Sequence, residues 1–349
     1  MKSIRKLLAA LLLPVLLLSL AACGQNAEPA PADAPVQEEH SVPSEPAAPE
    51  ENPADAEYTP LRAGALKGPT AMGMIRMLSD GGVNHYTLAG SAGELTPKLI
   101  KGDLDAACVP ANLAAVLYGK TEGQIVTLAV NTLGVLYIVE NGGETVQSLA
   151  DLKGRTLVAA GKGSTPEYGL RYLLEQNGLN PDEDVTVDWK SEHAECVAAL
   201  AAGTADLALL PQPFVTVAQG KLENLRTALD LTAEWDALDN GSAMITGVVV
   251  ARRDFVEQNP ETVERFLEEY AASVDWVNAN PAEAGALIAE QGIIESPAVA
   301  EKALPYCNIV CLTGREMYEK LSGYLQVLAD AAPESVGGAL PRADFYYGV

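Results

Sequence analysis

The sequence predicts an α/β protein of two similar lobes, set behind a leader and a tether of different composition. Three observations carry this. Short apolar runs of strand length alternate with amphipathic helical patterns. A nine-residue pattern occurs twice at the same internal spacing. Residues 1–57 have a composition that builds no core, which leaves residues 58–349 as the folded body, long enough for two lobes of ordinary size.

The leader comes first. Lys2, Arg5 and Lys6 precede the apolar run LLAALLLPVLLLSLAA, which closes on Leu20-Ala21-Ala22-Cys23 and Gly24. This is the pattern of a secretory signal peptide over residues 1–22, ending in a bacterial lipobox with Cys23 as the lipidated residue. The expected location is the extracytoplasmic face of the cell membrane, held by lipid. Residues 24–57 then hold seven prolines, nine acidic residues and no Lys or Arg. With so little to bury, residues 23–57 read as an extended, disordered tether.

The body alternates. IVTLAV, VLYIVE, TLVAAG, VTVDW, LALLP and GVVVAR read as strands, which implies largely parallel sheets. PETVERFLEEYAASVDWVNAN reads as a helix with Pro260 near its start and Val263, Phe266, Leu267 and Tyr270 on one face. A second helix opens on Thr313 with Glu316 three positions on.

The repeat organises these elements. GDLDAACVP at 102–110 and GTADLALLP at 203–211 both fit G-x-x-D-x-A-x-x-P, and each stands between two helical stretches. GPTAMG at 68–73 precedes the first copy and GSTPEYG at 163–169 precedes the second. Lobe 1 is therefore expected over 58–135 plus 243–349, and lobe 2 over 136–242. The chain would cross near Asn131–Leu136 and return near Ser242–Thr246, forming a two-crossing hinge.

The helix starts carry the site chemistry. Ligands of α/β proteins collect outside the carboxyl ends of strands, where helix N-termini point free N–H groups at the cleft. Pro69 and Thr70 offer a preset φ and a hydroxyl. Ser164, Thr165 and Pro166 repeat that chemistry, with Thr165 expected as the N-cap. Asn112 and Gln212 follow the two repeat strands, and each side chain can donate and accept. In SAGEL, Ser91 can cap a helix or reach a ligand, with Glu94 completing a capping box. Asp105 and Asp206 read as turn or capping residues.

Other chemistries find little support. No G-x-S-x-G elbow, H-E-x-x-H pair or Walker sequence occurs, and the three histidines are scattered. No enzyme, metal site or cofactor is expected. The net charge of -24 argues against nucleic acid as a partner. Cys108 and Cys196 read as buried apolar residues. Cys307 and Cys311, in CNIVC, are close enough in sequence to pair if that segment is not helical, but free thiols are the preferred reading.

The lipobox, the tether, LKGPTAMGM, GDLDAACVP and DLKGRTLVAAGKGST together resemble bacterial ABC-transporter solute-binding lipoproteins. More narrowly they are similar to the branch that handles alkanesulfonates, taurine, nitrate and thiamine-pyrimidine precursors, over residues 58–330. The resemblance implies a type II periplasmic-binding fold. It implies a monomer that captures a small organic solute between its lobes and delivers it to a membrane permease. The positions that match the family's ligand contacts are Thr70, Ala71 and Asn112 in lobe 1 and Ser164, Thr165 and Gln212 in lobe 2. Met72 and Ser91 are the neighbouring candidates. No arginine stands where sulfonate-binding members would clamp an anion, which points away from sulfonate and taurine. Tyr86, Tyr168 and Trp235 are the aromatic residues available to stack on a flat ligand. A lipoprotein presenting ligand to a sensor kinase carries the same features. An enzyme of the same fold, making a thiamine or menaquinone precursor, fits the leader poorly.

Overall fold

The structure is a computed structural model, and it describes residues 59–349. The leader, the tether and Cys23 lie outside the described residues. Strands β1 (Arg62–Leu66), β2 (His85–Ala89), β3 (Ala106–Pro110) and β4 (Ile125–Leu133) come first. They are followed by β5 (Leu136–Asn141), β6 (Thr156–Ala160), β7 (Thr186–Lys190), β8 (Leu207–Pro211) and β9 (Leu225–Asp230). The last two are β10 (Ile245–Arg252) and β11 (Ile309–Leu312).

They form two sheets. One runs β11-β4-β10-β3-β1-β2, the other β7-β6-β8-β5-β9. Read in opposite directions, the sheets have one plan: β2-β1-β3-β10-β4 in the first matches β7-β6-β8-β5-β9 in the second. In each plan the first three strands and the fifth run in one direction, and the fourth runs antiparallel to them. That fourth strand is the one whose chain has just arrived from the other sheet: β5 follows β4, and β10 follows β9. The expectation of largely parallel sheets holds for the other strands of this plan, and the reversed fourth strand is what it did not include. A helical crossover returns a strand parallel to its neighbour, whereas a direct passage between sheets brings the chain in reversed.

Both copies of the repeat occupy the same place in this plan. Gly102 ends the helix Ala92–Lys101 with φ 82°, and Gly203 follows the helix His193–Ala201 with φ 66°. Each leads into a buried strand, β3 or β8, whose burial falls off at the closing proline. Each strand then feeds a helix, Ala111–Lys120 or Phe214–Lys221.

Each sheet also carries one buried carboxylate held by an arginine. Asp105, 1% exposed, takes Arg62 Nε and Nη2 at 2.8 and 2.6 Å and the Arg62 amide at 3.0 Å. Glu140 on β5 stands opposite Arg226 on β9 and accepts its Nη2. Burial alone would raise the Glu140 pKa. The Thr145 hydroxyl and amide, with Arg226 and the Val146 amide, instead hold it at about 2.

The helix Pro260–Ala279 lies on the first sheet, with Val263, Phe266 and Tyr270 fully buried and Leu267 partly so. Burying an aromatic side chain of this size contributes about 2–3 kcal/mol. Cys307 and Cys311 are free thiols. Burial pushes the Cys108 and Cys307 thiols up to about 12, so neither is a ready nucleophile at neutral pH.

Candidate functional site

The carboxyl ends of β1, β3, β6 and β8 converge on one cavity of about 470 Å³. Elements of both sheets line it. Leu66, Lys67, Pro69, Thr70, Pro110 and Asn112 come from the first side, and Leu136, Gly161, Ser164, Thr165, His193 and Pro211 from the second. Its size suits a small organic molecule.

The first side is built by packing against distant residues. Gly68 has φ 121°, a conformation that an L side chain rarely adopts, and it turns the chain from β1 into the four-residue helix Pro69–Met72. Pro69 takes the first helical position, as expected. Thr70 Oγ1 donates to Leu66 O at 3.0 Å, and Thr70 O accepts from the buried Asn131 Nδ2 at 3.3 Å. The helix ends at Gly73, where Tyr270 leaves no room for a side chain. A Cβ at Gly73 would lie 2.7 Å from Tyr270 Oη and 3.1 Å from Ile309 Cγ2.

The second side is built locally. Ser164, not Thr165, is the N-cap of the helix Thr165–Gln176, with Pro166 in its first turn. The Ser164 hydroxyl does not cap the helix; it donates to Gly161 O at 2.6 Å. Glu167 reaches back to accept from the Gly163 amide at 2.6 Å. Thr165 Oγ1 accepts from the buried Tyr324 Oη at 3.3 Å.

Of the residues singled out from the sequence, the structure brings Thr70, Asn112, Ser164 and Thr165 together around this cavity. It places the other four elsewhere. Ala71 and Met72 lie within the first helix and are fully buried. Ser91 is exposed at the start of the helix Ala92–Lys101, and its Oγ donates to Glu94 Oε1 at 3.0 Å. Gln212 is 4% exposed, and its Oε1 accepts from the Thr216 hydroxyl and amide at 2.9 and 3.4 Å. No aromatic platform lines the cavity. Trp235 is fully buried and packs on Tyr172 and Tyr324 with centroids 4.7 and 5.6 Å away. Tyr86 lines a separate groove beside Arg76 and Trp276.

Three lining residues with polar side chains were not singled out from the sequence. Lys67 stands in LKGPT itself and is exposed at the cavity. Thr246 lies on β10, and its hydroxyl is buried without a partner. His193 opens a helix, packs on Phe214 with centroids 5.2 Å apart, and has an unpartnered Nδ1. Burial lowers the His193 pKa, so its ring is neutral at pH 7. The readable signal for His193 was its place directly after strand VTVDW, at a helix start equivalent to SAGEL.

No group of three or more His, Cys, Asp or Glu side chains suited to a metal occurs among the described residues. No helix among them is long and apolar enough to cross a membrane.

Comparison with known proteins agrees with this architecture. Residues 123–284, just under half of the chain, match the family described as NMT1/THI5 like. Binding proteins of Brucella abortus and Brucella suis are 24% identical over 221 residues. That match covers 61% of this chain, and the chain spans 65% of the length of these curated relatives. An ABC transporter structure from Parabacteroides distasonis is 25% identical, with a TM-score of 0.71 over 82% of this chain and 98% of its own. The periplasmic aliphatic sulphonate binding protein of Escherichia coli is 18% identical, with a TM-score of 0.64 over 81% of this chain and 92% of its own. The fold is the mixed α/β fold of type II periplasmic binding proteins. Over residues 123–284 the chain is similar to the NMT1/THI5-like family.

Proposed function

We propose that this chain is the extracytoplasmic solute-binding component of an ABC importer. It captures a small organic solute between two lobes and presents the closed form to a permease. The observation that supports this most is the cavity at the carboxyl ends of strands from both sheets, where the two similar helix starts face one another. Lobe 1 comprises 58–135 plus 243–349, lobe 2 comprises 136–242, and the passages β4 to β5 and β9 to β10 are the hinge. Thr70, Asn112, Ser164 and Thr165 contact the solute, joined by Lys67, His193 and Thr246. The protein acts as a monomer tethered to the membrane through lipid on Cys23. The binding-protein relatives and the ABC-transporter structure favour this reading over an enzyme of the same fold.

Mass spectrometry of the natively purified protein should find a bound small molecule, and small-angle scattering should show compaction when that molecule is returned to stripped protein. The pair Thr70→Ala and Thr165→Ala should weaken rebinding about tenfold or more, which is 1.4 kcal/mol or more. Absence of any co-purified molecule, with no compaction by a broad solute panel, counts against solute capture. Cys23→Ser should move the protein from the membrane to the soluble fraction; retention refutes the lipid anchor.

A further inference from the structure

We propose that the cleft selects an uncharged solute with an apolar body and an amide-like end that both donates and accepts hydrogen bonds, rather than an oxyanion. The inference rests on the solute-capture reading and names its substrate class. It follows from how the cleft's polar groups are already committed.

The cavity walls are mainly apolar. Four prolines, Pro69, Pro110, Pro166 and Pro211, line it together with Leu66, Leu113, Val135 and Leu136. Among the described residues no arginine lines it, and Lys67, the cation that does, is exposed. His193 is neutral because burial lowers its pKa, so it adds no charge at pH 7. A sulfonate or nitrate group presents three acceptor oxygens and a full charge. Moving it from water into such walls needs several converging donors.

Two of the four lining hydroxyls do not supply them, while the unpartnered Thr246 hydroxyl keeps its proton for a ligand. Thr70 Oγ1 gives its proton to Leu66 O, and Ser164 Oγ gives its proton to Gly161 O. Each therefore turns lone pairs, not a proton, toward a ligand. Asn112 Nδ2 donates to Ser335 O at 3.3 Å, leaving its Oδ1 to accept. Donors remain on the other side: the Thr165 hydroxyl accepts from Tyr324 and keeps its own proton, and the Thr165 amide stands in the first helical turn without an intrahelical acceptor. Acceptors on one set of atoms and donors on another, with little net charge, suit a group that carries both an N–H and a C=O.

Three probes with one ring and three polar ends test this: benzamide, benzoate and benzenesulfonate. Each is titrated calorimetrically into the full-length protein held in nanodiscs, after native ligand has been stripped. Benzamide is expected to bind at least about tenfold more tightly than either anion. Ser164→Ala should weaken benzamide several-fold and leave the anions unchanged, since it removes an acceptor. Benzoate or benzenesulfonate binding as tightly as benzamide overturns the class and leaves solute capture standing. Binding of none of the three at millimolar concentration also overturns the class. In that case a co-purified molecule identified by mass spectrometry keeps solute capture, and an empty cleft that never compacts removes both.

Discussion

The two helix starts that face each other across the cavity share a sequence character and differ in what holds them. GPTAMG at 68–73 gives a helix of four residues fixed by partners far along the chain: Asn131, Tyr270 and Ile309. GSTPEYG at 163–169 gives a helix of 12 residues fixed by its own neighbours: Ser164 to Gly161 and Gly163 to Glu167. The same surface chemistry can thus be presented by tertiary packing or by local hydrogen bonding. The first side should respond to substitutions distant in sequence, and the second mainly to substitutions nearby.

The largest effect is expected from Tyr270→Ala. Tyr270 is fully buried in the core against the first sheet and stacks with Phe266 at 6.1 Å. Truncation should destabilise by about 4 kcal/mol, the cavity and lost transfer free energy combined. Hydrogen exchange should quicken over residues 69–74 far more than over 163–168. Equal quickening on both sides would break the contrast.

The second sheet has long-range dependences too: Tyr324 bonds Thr165 at the cavity, and Arg226 holds Glu140 away from it. Arg226→Met leaves Glu140 buried without its cation and should cost about 3 kcal/mol, because the Thr145 and Val146 bonds remain. The pH dependence has a definite sign. The Glu140 pKa is lowered from 4.5 to about 2 in the folded state, so its stabilising effect is complete above 4.5 and is lost as pH falls through 2. Denaturant curves of the native protein and the variant should therefore converge as pH falls through that window. A constant gap across it would show that Arg226 acts by packing alone.

Gly73→Ala comes next. The added Cβ meets Tyr270 Oη, Ile309 Cγ2 and Val274 Cγ2 within 3.2 Å, all in a packed core. Overpacking of this kind costs about 2 kcal/mol, which helix propensity, favouring Ala over Gly by up to about 1 kcal/mol, only partly offsets. A rise in melting temperature would mean that Tyr270 yields easily, and that the first helix start is less tightly held than its geometry implies.

How far all this could be read from the sequence follows the same division. The repeat placed β3 and β8 because G-x-x-D-x-A-x-x-P encodes a helix stop and a buried strand in neighbouring residues. Thr70, Asn112, Ser164 and Thr165 were found because helix starts after strands face the cleft by topology. Gln212 went elsewhere because a bond to Thr216, four residues on, competes with any ligand, and a sequence does not show which partner wins. The reversed fourth strand was missed because strand direction depends on which sheet the chain enters. That Gly73 packs against Tyr270, far along the chain, was not legible, because that contact is made by the tertiary fold.

The smallest effect is expected at the N-cap of the second helix start. Ser164 occupies the N-cap position with φ -139°, yet its hydroxyl bonds Gly161 O rather than a helix amide. A true serine cap typically contributes about 1 kcal/mol, and its loss would register in stability. Ser164→Ala should instead cost well under about 1 kcal/mol, the worth of one half-exposed bond to a carbonyl that water can replace. Thr70→Val provides the matched comparison, since Thr70 also spends its proton on a carbonyl, Leu66 O, but is 8% exposed. Leaving that buried acceptor unmet should cost more, about 1–2 kcal/mol. Chemical denaturation of the two variants side by side gives the order. Thr70→Val milder than Ser164→Ala would mean that the two sides of the cleft are held alike.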